Sequence, residues 1–157
     1  MVKLKFIIVG KTKEPWIVEG IGHYEKMLSK FADLEFIEVK DEKVTQHSSE
    51  KIVLKKEGAR VLKSLSKNSF SLVLDSKGRM LSTEELAELF KEKMNQGHND
   101  FIFVTGSALG LSSEVINSAD FRLSLSKMIF PHQLVRLILL EQVYRALSII
   151  GGRKYHK

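Results

Sequence analysis

Apolar positions along the chain follow two different periods. Short runs rich in branched and aromatic residues have the length of buried strands, and they are Leu4 to Val9, Leu34 to Val39, Phe70 to Leu74, Phe101 to Thr105 and Phe121 to Leu125. Between these runs, apolar residues recur every three or four positions, as they do on one face of a helix. Strands that alternate with helices predict an α/β fold, a mostly parallel sheet with helices on both faces.

Helix start signals divide the segments between the strands. Pro15 suits the first turn of the first helix, whose apolar stripe runs from Ile17 to Phe31. After the third strand, the polar residues Asp75 to Gly78 predict a turn. Ser82 and Glu85 then have the spacing of a capping box, which predicts the start of another helix. In the helix predicted from about Glu50 to Leu65, the residues expected to face the core are Leu54, Val61, Leu62 and Leu65.

The last predicted helix, from Pro131 to about Ile150, is apolar around most of its circumference. One face of such a helix packs on the sheet, so we expect the other face to meet a second copy of the chain in a homodimer. Glu141 and Arg145 have the spacing of an ion pair within one helix.

The composition excludes several classes of chemistry. A length of 157 residues predicts one domain over residues 1–157. The chain has no cysteine, which excludes disulfides, zinc fingers and catalytic thiols, and its five histidines lack metal-binding spacing, so we expect no metal. A formal net charge of +6 favours polyanionic partners. No apolar run approaches the roughly 20 residues of a membrane span, which predicts a soluble, cytoplasmic protein without a membrane partner.

Two irregular segments follow predicted strands and are candidates for ligand binding. Thr105 to Gly110 contains glycines that allow a ligand to approach the backbone, but it matches neither the dinucleotide nor the phosphate-loop spacing. Leu125 to Phe130 is a second irregular segment at another strand end. Because ligands bind beyond the carboxyl ends of parallel strands, the two segments are predicted to form the walls of one pocket. Ordinary strand-to-helix turns are the alternative interpretation.

Polar residues in and after the last helix are further candidates. His132 lies at the helix N-terminus, where the dipole favours a neutral imidazole, and a bond to a neighbouring loop is the alternative. Arg136 lies in an apolar helix and requires a partner, either a ligand, a second subunit or a structural ion pair. The tail Gly151 to Lys157 combines cations with an aromatic ring, which suits RNA, whereas a solvated tail is the alternative.

The order of these segments resembles one known family over essentially the whole chain. The segments are VGK near the start, DSKGRMLSTEELA, FIFVTGSALGL, LSLSKMIFPHQLVRLILLEQVYRA and the terminal YHK. They resemble the ribosomal large subunit methyltransferase H family of the SPOUT class. The resemblance implies an α/β fold with a C-terminal trefoil knot, a homodimer, and S-adenosylmethionine as cofactor. It also implies methylation of N3 of a pseudouridine in the helix 69 loop of 23S rRNA within the ribosome.

The resemblance also implies site residues. The residues that correspond to the family's cofactor site are Leu74, Gly106, Leu125, Ser126, Lys127, Met128, Ile129 and Phe130. One departure is Ser107, where the family commonly has a second adjacent glycine, so donor affinity is expected to depend on this position.

For the reaction, His156 is the candidate base, because the imide proton at N3 must depart before the methyl group arrives. Tyr155 is the candidate that stacks on the base, and Arg136 the candidate that stabilises negative charge. Arg153 and Lys154 are candidates for contact with RNA.

Three alternatives remain open at this point. A knotted methyltransferase that acts on tRNA shares the same resemblance. A non-catalytic ribosome-binding factor of the same fold is favoured by the Ser107 departure. Without the resemblance, the residues would suggest a flavin or nucleotide module of ordinary doubly wound topology.

Overall fold

The computed structural model describes residues 1–153, in which five strands alternate with five helices. The strands are β1 Val2–Val9, β2 Ala32–Val39, β3 Phe70–Met80, β4 Asp100–Thr105 and β5 Phe121–Ser124. The helices are α1 Pro15–Leu28, α2 Glu50–Ser64, α3 Thr83–Asn95, α4 Ser113–Ser118 and α5 His132–Ile150. The predicted order and type of these elements are confirmed.

All strand pairs of the sheet are parallel, and the strand order is β2-β1-β4-β3-β5. The register places Phe6 of β1 beside Phe36 of β2 and Phe103 of β4. These rings stack at centroid distances of 5.1 and 5.0 Å. The prediction of a mostly parallel sheet is therefore confirmed, and the carboxyl ends of β3, β4 and β5 lie at one edge of the sheet.

Alternate residues of the strands pack on opposite faces of the sheet. One face carries Phe6 and Phe103 and is covered by α1, α3 and α5. The other face carries Ile7 and Val104 and is covered by Val61 of α2 and Val115 of α4. Because both faces are buried, the central strands are apolar at successive positions instead of alternating with polar residues.

Strand β3 is longer than predicted, because the predicted turn at Asp75 to Gly78 lies within an extended strand. The register against β5 shifts between Leu74 and Arg79, so residues 75–78 form a bulge after which pairing resumes. An ion pair of 2.7 Å between Asp75 and Arg122 of β5 crosses this bulge. The prediction of an irregular segment at Asp75 to Gly78 is confirmed, but the prediction that the strand ends there is wrong.

Helix α2 presents a different face to the core from the one predicted. Leu62 is 38% exposed, whereas Val53 and Val61 are buried. The buried residues Val53, Glu57 and Val61 are spaced four apart and define the inner face, which includes a carboxylate. The expectation for Leu62 is wrong because the inner face was assigned from apolar residues alone.

Two local predictions are confirmed side by side. The Ser82 side chain accepts from the Glu85 backbone N–H, and the Glu85 carboxylate accepts from that of Ser82, which is the predicted capping box. Glu141 and Arg145 of α5 form the predicted ion pair. Both depend on residues within four positions of each other, which is why the sequence was sufficient.

Candidate functional site

A cavity of about 730 Å³ lies beyond the carboxyl ends of β4 and β5 and beside the bulge of β3. One wall is the glycine loop, which we define as residues 106–111, and the opposite wall is the β5–α5 loop, residues 125–131. Residues 74–76, at the bulge of β3, and the first turn of α5 complete the lining. The two segments that were predicted to share one pocket do so.

The cavity brings together most of the residues that the family resemblance nominated. Those that line it are Leu74, Gly106, Leu125, Ser126, Met128, Ile129 and Phe130. Lys127 belongs to the same loop but is exposed and lies outside the lining formed by residues 1–153. The cavity also includes residues that the sequence did not suggest for it, among them Asp75 and His132.

The glycine loop is a tight structure that depends on its two glycines. A Cβ atom on Gly106 would lie 2.4 Å from the carbonyl oxygen of Gly110, so no larger residue fits there. Gly110 has a φ of +87°, a conformation that L side chains rarely adopt. Its backbone N–H donates to the Ser107 carbonyl at 2.9 Å, which closes the turn. The loop therefore presents its backbone to the cavity.

Ser107, the departure from the family pattern, is tied to a buried carboxylate. Its hydroxyl donates to Glu57 Oε1 at 2.8 Å, and Glu57 Oε2 accepts from the backbone N–H of Glu42 at 3.0 Å. A serine at this position therefore adds a side-chain bond between the glycine loop and α2. This bond could not be predicted from the sequence, because the two residues are fifty positions apart.

The β5–α5 loop has fewer anchors and exposes apolar side chains. The Ser124 hydroxyl donates to the Ser126 carbonyl at 3.0 Å, and the Met128 backbone N–H donates to Ser126 Oγ at 3.0 Å. Met128 is 75% exposed and Ile129 is 92% exposed. Both side chains border the cavity, so this wall carries apolar surface that the described chain leaves open to solvent.

His132 begins α5 and lines the cavity. Burial lowers the pKa of His132 from 6.5, and the neighbouring Arg136 lowers it further, against the opposing effects of Asp41 and Glu57. The imidazole is therefore neutral near pH 7, as the sequence predicted. Burial is the largest cause of the lowered pKa, whereas the sequence had suggested the helix dipole.

Arg136 lies one turn further along α5 and is only 2% exposed. Its guanidinium donates to the Val9 carbonyl at 2.6 Å and to Thr12 Oγ1 at 2.8 Å, while Nε has no partner among residues 1–153. Burial lowers the pKa of Arg136 to about 10. The partner that this arginine requires is thus the carboxyl end of β1, and the side chain fixes α5 to the sheet beside the cavity.

Two polar residues of the lining differ in their partners. Asp75 contributes a carboxylate whose Oδ2 accepts from Arg122. Thr105 is buried, and its Oγ1 has no hydrogen-bond partner within the described part of the chain. Thr105 also lines a small pocket beside Arg136. Most buried polar atoms are paired, so the Thr105 hydroxyl is an exception.

The basic tail begins at the far end of α5. The Arg153 guanidinium lies 4.7 Å from the centre of the Phe31 ring, and its backbone N–H donates to the Ser148 carbonyl at 3.0 Å. Lys154, Tyr155 and His156 lie outside the described residues. Arg153 is therefore the one tail candidate whose contacts are known, and it is exposed.

Neither a metal cluster nor a membrane helix is found in residues 1–153. No group of three or more histidine, aspartate or glutamate side chains there is arranged to hold a metal ion. No helix in this range is long and apolar enough to cross a membrane.

Comparison with known proteins gives consistent matches over the full length. A family model described as "Predicted SPOUT methyltransferase" matches residues 2–156. The ribosomal RNA large subunit methyltransferase H of Carboxydothermus hydrogenoformans is 48% identical, over 99% of this chain and 99% of that protein. The protein of the same name from Clostridium novyi is 45% identical, over 98% of this chain and 99% of its own length.

Solved structures with low sequence identity share the fold. The tRNA (m1G37) methyltransferase of Aquifex aeolicus superposes with a TM-score of 0.60 at 16% identity, covering 99% of this chain and 75% of that one. A probable methyltransferase from Bordetella pertussis Tohama I gives a TM-score of 0.58 at 11% identity, covering 93% and 96%.

Proposed function

Because the chain belongs to the SPOUT methyltransferase family, we propose that it transfers a methyl group from S-adenosylmethionine to 23S rRNA of the large ribosomal subunit. The proposed acceptor is N3 of a pseudouridine in the helix 69 loop. The observation that supports this most directly is the cavity at the carboxyl ends of β4 and β5, bounded by the two loops that correspond to the family's cofactor site.

The residues of this cavity fit S-adenosylmethionine. A volume of about 730 Å³ lies within the range of small-molecule sites. The glycine loop exposes backbone at one wall. Leu74, Leu125 and Phe130 supply apolar surface for the uncharged part of the ligand. We propose that these groups, together with Gly106, Ser126, Lys127, Met128 and Ile129, hold the methyl donor.

When bound, the donor supplies an electrophilic methyl group on a sulfonium centre, so the protein's main task is to align this group with the acceptor nitrogen. The glycine loop and Arg136 contribute to alignment indirectly. The loop is closed by Gly106 and Gly110, and Arg136 holds the first turn of α5 against β1. Neutral His132 avoids adding a positive charge next to a sulfonium ligand.

The acceptor nitrogen carries a proton that must leave. We propose His156 as the group that accepts this proton, and Tyr155 as the ring that stacks on the extruded base. Arg153 and Lys154 are proposed to bind the RNA backbone. Arg136 was predicted to stabilise negative charge on the base, and this role remains a prediction, since its described bonds go to Val9 and Thr12.

The geometry of α5 favours a site shared between two chains. His132 lines the cavity at one end of this 19-residue helix, which is about 28 Å long. Arg153 contacts Phe31 at the other end. His156 lies three residues further on, which adds at most about 11 Å of chain. The tail therefore cannot reach its own cavity along α5, and we propose that the partner chain of a homodimer supplies it.

Three further features follow from family membership as proposals. The chain is proposed to be a single domain whose C-terminal elements form the trefoil knot of the family. The apolar surface of α5 is proposed to belong to the dimer interface. A cytoplasmic location is proposed, because the proposed substrate is ribosomal.

The decisive experiment uses ribosomes from a strain that lacks the endogenous modification. Purified protein and S-adenosylmethionine are added, and the modified nucleotide is located by mass mapping of digested 23S rRNA. We expect one added methyl group at N3 of a helix 69 pseudouridine. Methyl transfer to tRNA instead would show a tRNA enzyme of the same fold. Ribosome binding without donor binding, measured by calorimetry, would show a non-catalytic factor.

A further inference from the structure

A buried carboxylate on α2 lies behind the glycine loop. Glu57 is only 3% exposed, and both of its oxygens accept hydrogen bonds, one from the Ser107 hydroxyl and one from the Glu42 backbone. Its neighbours on the same face of α2, Val53 and Val61, are buried valines. A third apolar residue would be expected on this buried face. Glu57 lies there instead, although burial of a charged group is costly.

A second contact joins α2 to the other end of the glycine loop. A Cβ atom on Gly58 would lie 2.3 Å from the Ser112 hydroxyl, so the helix backbone packs directly against the residue that follows the loop. Ser112 also caps α4, where its hydroxyl accepts from the Val115 backbone N–H at 3.3 Å. Adjacent residues Glu57 and Gly58 thus contact the glycine loop near its start and just beyond its end.

The carboxylate is itself held from behind. Arg60, one turn along α2, donates to the Lys40 carbonyl at 2.9 Å and forms an ion pair with Glu42. The Glu42 backbone N–H donates in turn to Glu57. The segment after β2 is therefore fixed to α2 by two residues, and it orients the oxygens of Glu57. The carboxylate that accepts from Ser107 is therefore itself held in place.

From these contacts we infer that Glu57 is a positioning residue for the methyl-donor site, which holds the glycine loop in its donor-binding shape through Ser107. The inference rests on the proposed function. It also gives a role to Ser107, the departure from the family pattern. A second glycine would add conformational freedom to the loop, whereas the serine hydroxyl adds a hydrogen bond to Glu57. Glu57 acts through the loop and is not itself part of the cavity lining.

Ser107 and Glu42 both donate to Glu57, and a carboxylate is acceptor-only. In Glu57→Gln the amide oxygen accepts from the Glu42 backbone, and the amide N–H donates to the Ser107 hydroxyl, which is also an acceptor. Both contacts are kept, but they lose the contribution of the negative charge. We therefore expect Glu57→Gln to lie between the wild type and Glu57→Ala in every measurement of donor binding.

The test is a double-mutant cycle of Ser107→Ala and Glu57→Ala. Calorimetry measures the binding of S-adenosylmethionine by each variant, and steady-state assays measure methyl transfer to unmodified ribosomes. Ser107→Ala is expected to raise the donor Kd and KM by about tenfold, the factor given by one charge-assisted hydrogen bond. The kcat at saturating donor is expected to stay within about twofold of the wild type. The double variant is expected to bind no more weakly than Glu57→Ala alone, because both changes remove the same bond.

Two exposed residues provide matched controls. Glu88→Gln on α3 and Ser113→Ala on α4 change the same functional groups at the surface, and we expect donor Kd values equal to the wild type. Thermal unfolding of each variant separates loss of fold from loss of donor affinity. If Glu57→Ala does not fold, Ser107→Ala and Glu57→Gln still carry the test.

The outcomes separate this inference from the proposed function. Unchanged donor affinity in Ser107→Ala and Glu57→Gln, with normal binding by the wild type, would overturn the positioning role alone. Additive losses in the double variant would do the same, since they would show two independent effects. A wild-type protein that binds no S-adenosylmethionine would overturn the proposed function, and this inference with it.

Discussion

The two walls of the cavity are built differently. The glycine loop is closed by its own backbone bond between Ser107 and Gly110, and it is tied to α2 through Glu57. The β5–α5 loop is held mainly by the Ser126 hydroxyl, and it exposes Met128 and Ile129. One wall follows the interior strand β4, whereas the other follows the edge strand β5.

This difference indicates that the glycine loop is preorganised for ligand binding, whereas the β5–α5 loop is less constrained. A loop whose shape is over-determined by bonds loses little freedom on binding, so it contributes affinity at low entropic cost. Exposed apolar side chains gain free energy only when something covers them. The glycine loop is thus expected to set donor affinity by its shape, and the β5–α5 loop by the apolar surface that it buries against the donor or a partner chain.

The largest expected effect on donor affinity comes from a substitution in the glycine loop, at its closest backbone approach. Gly106→Val places side-chain atoms against the Gly110 carbonyl, which a Cβ already approaches to 2.4 Å. We expect donor affinity to fall roughly a hundredfold, since overpacking of this kind costs about 1–3 kcal/mol or more. Calorimetry with S-adenosylmethionine measures the loss.

Gly22→Ala is the control for that substitution. A Cβ on Gly22 meets nothing within 4 Å, and the residue lies inside α1. Alanine there is expected to stabilise the protein by about 0.5–1 kcal/mol and to leave donor binding unchanged. A Gly106→Val protein with wild-type affinity would show that the glycine loop adjusts freely and is not preformed.

The next effect is on stability and concerns Arg136, which anchors the start of α5 behind the β5–α5 loop. Arg136→Ala removes the bonds to Val9 and Thr12 and leaves a cavity between α5 and β1. We expect the free energy of unfolding to fall by about 2–4 kcal/mol. Urea denaturation measures it, with Lys91→Ala, an exposed cation on α3, as a control expected to change stability by less than about 0.5 kcal/mol. Equal stability of Arg136→Ala and wild type would contradict the anchoring role.

A smaller effect is expected from the exposed apolar residues of the β5–α5 loop. Ile129→Ser changes a side chain that is 92% exposed, so the free energy of unfolding should change by less than about 0.5 kcal/mol. Donor affinity or dimer affinity is nevertheless expected to fall roughly tenfold, because the lost apolar surface is buried only in the complex. Calorimetry and analytical ultracentrifugation measure the two affinities. If both remain unchanged, this wall stays in solvent throughout.

The smallest effect is a pH dependence at the start of α5. The pKa of His132 is lowered from 6.5, so below pH 6.5 the unfolded chain takes up a proton that the folded chain resists. The stability due to neutral His132 is therefore complete above pH 6.5 and is lost as the pH falls. Donor affinity should also fall slightly once His132 becomes charged beside the sulfonium group.

Measurements at about pH 7.5 and about pH 5.5 test this dependence. His132→Gln cannot titrate, so it should flatten the profiles of both thermal unfolding and donor affinity. Identical profiles for the variant and the wild type would assign the dependence to another group.

Local patterns predicted most of the fold and part of the site. The strand runs, the capping box of Ser82 and Glu85, and the Glu141–Arg145 pair all depend on residues close in sequence, and all are confirmed. The family resemblance selected loop residues that line one cavity. The catalytic and RNA-binding assignments stay predictions.

Other features were mispredicted or missed because a distant partner decides them. The turn predicted at Asp75 to Gly78 is a bulge within β3, since β5 pairs with the strand on both sides of it. Leu62 is exposed because Val53, Glu57 and Val61 form the inner face of α2. The fourfold spacing of these three residues was a visible signal for burial of Glu57, but a carboxylate is not expected on an inner face.

The sequence by itself determined the alternation of strands and helices, the helix caps and the family, because these follow from residue types at short spacing. Only the tertiary structure decided that Ser107 meets Glu57, that Arg136 meets the end of β1, and that the Thr105 hydroxyl is buried without a partner among residues 1–153. The physical reason is the strand order, which places β4 between β1 and β3 and so brings together residues that are far apart along the chain.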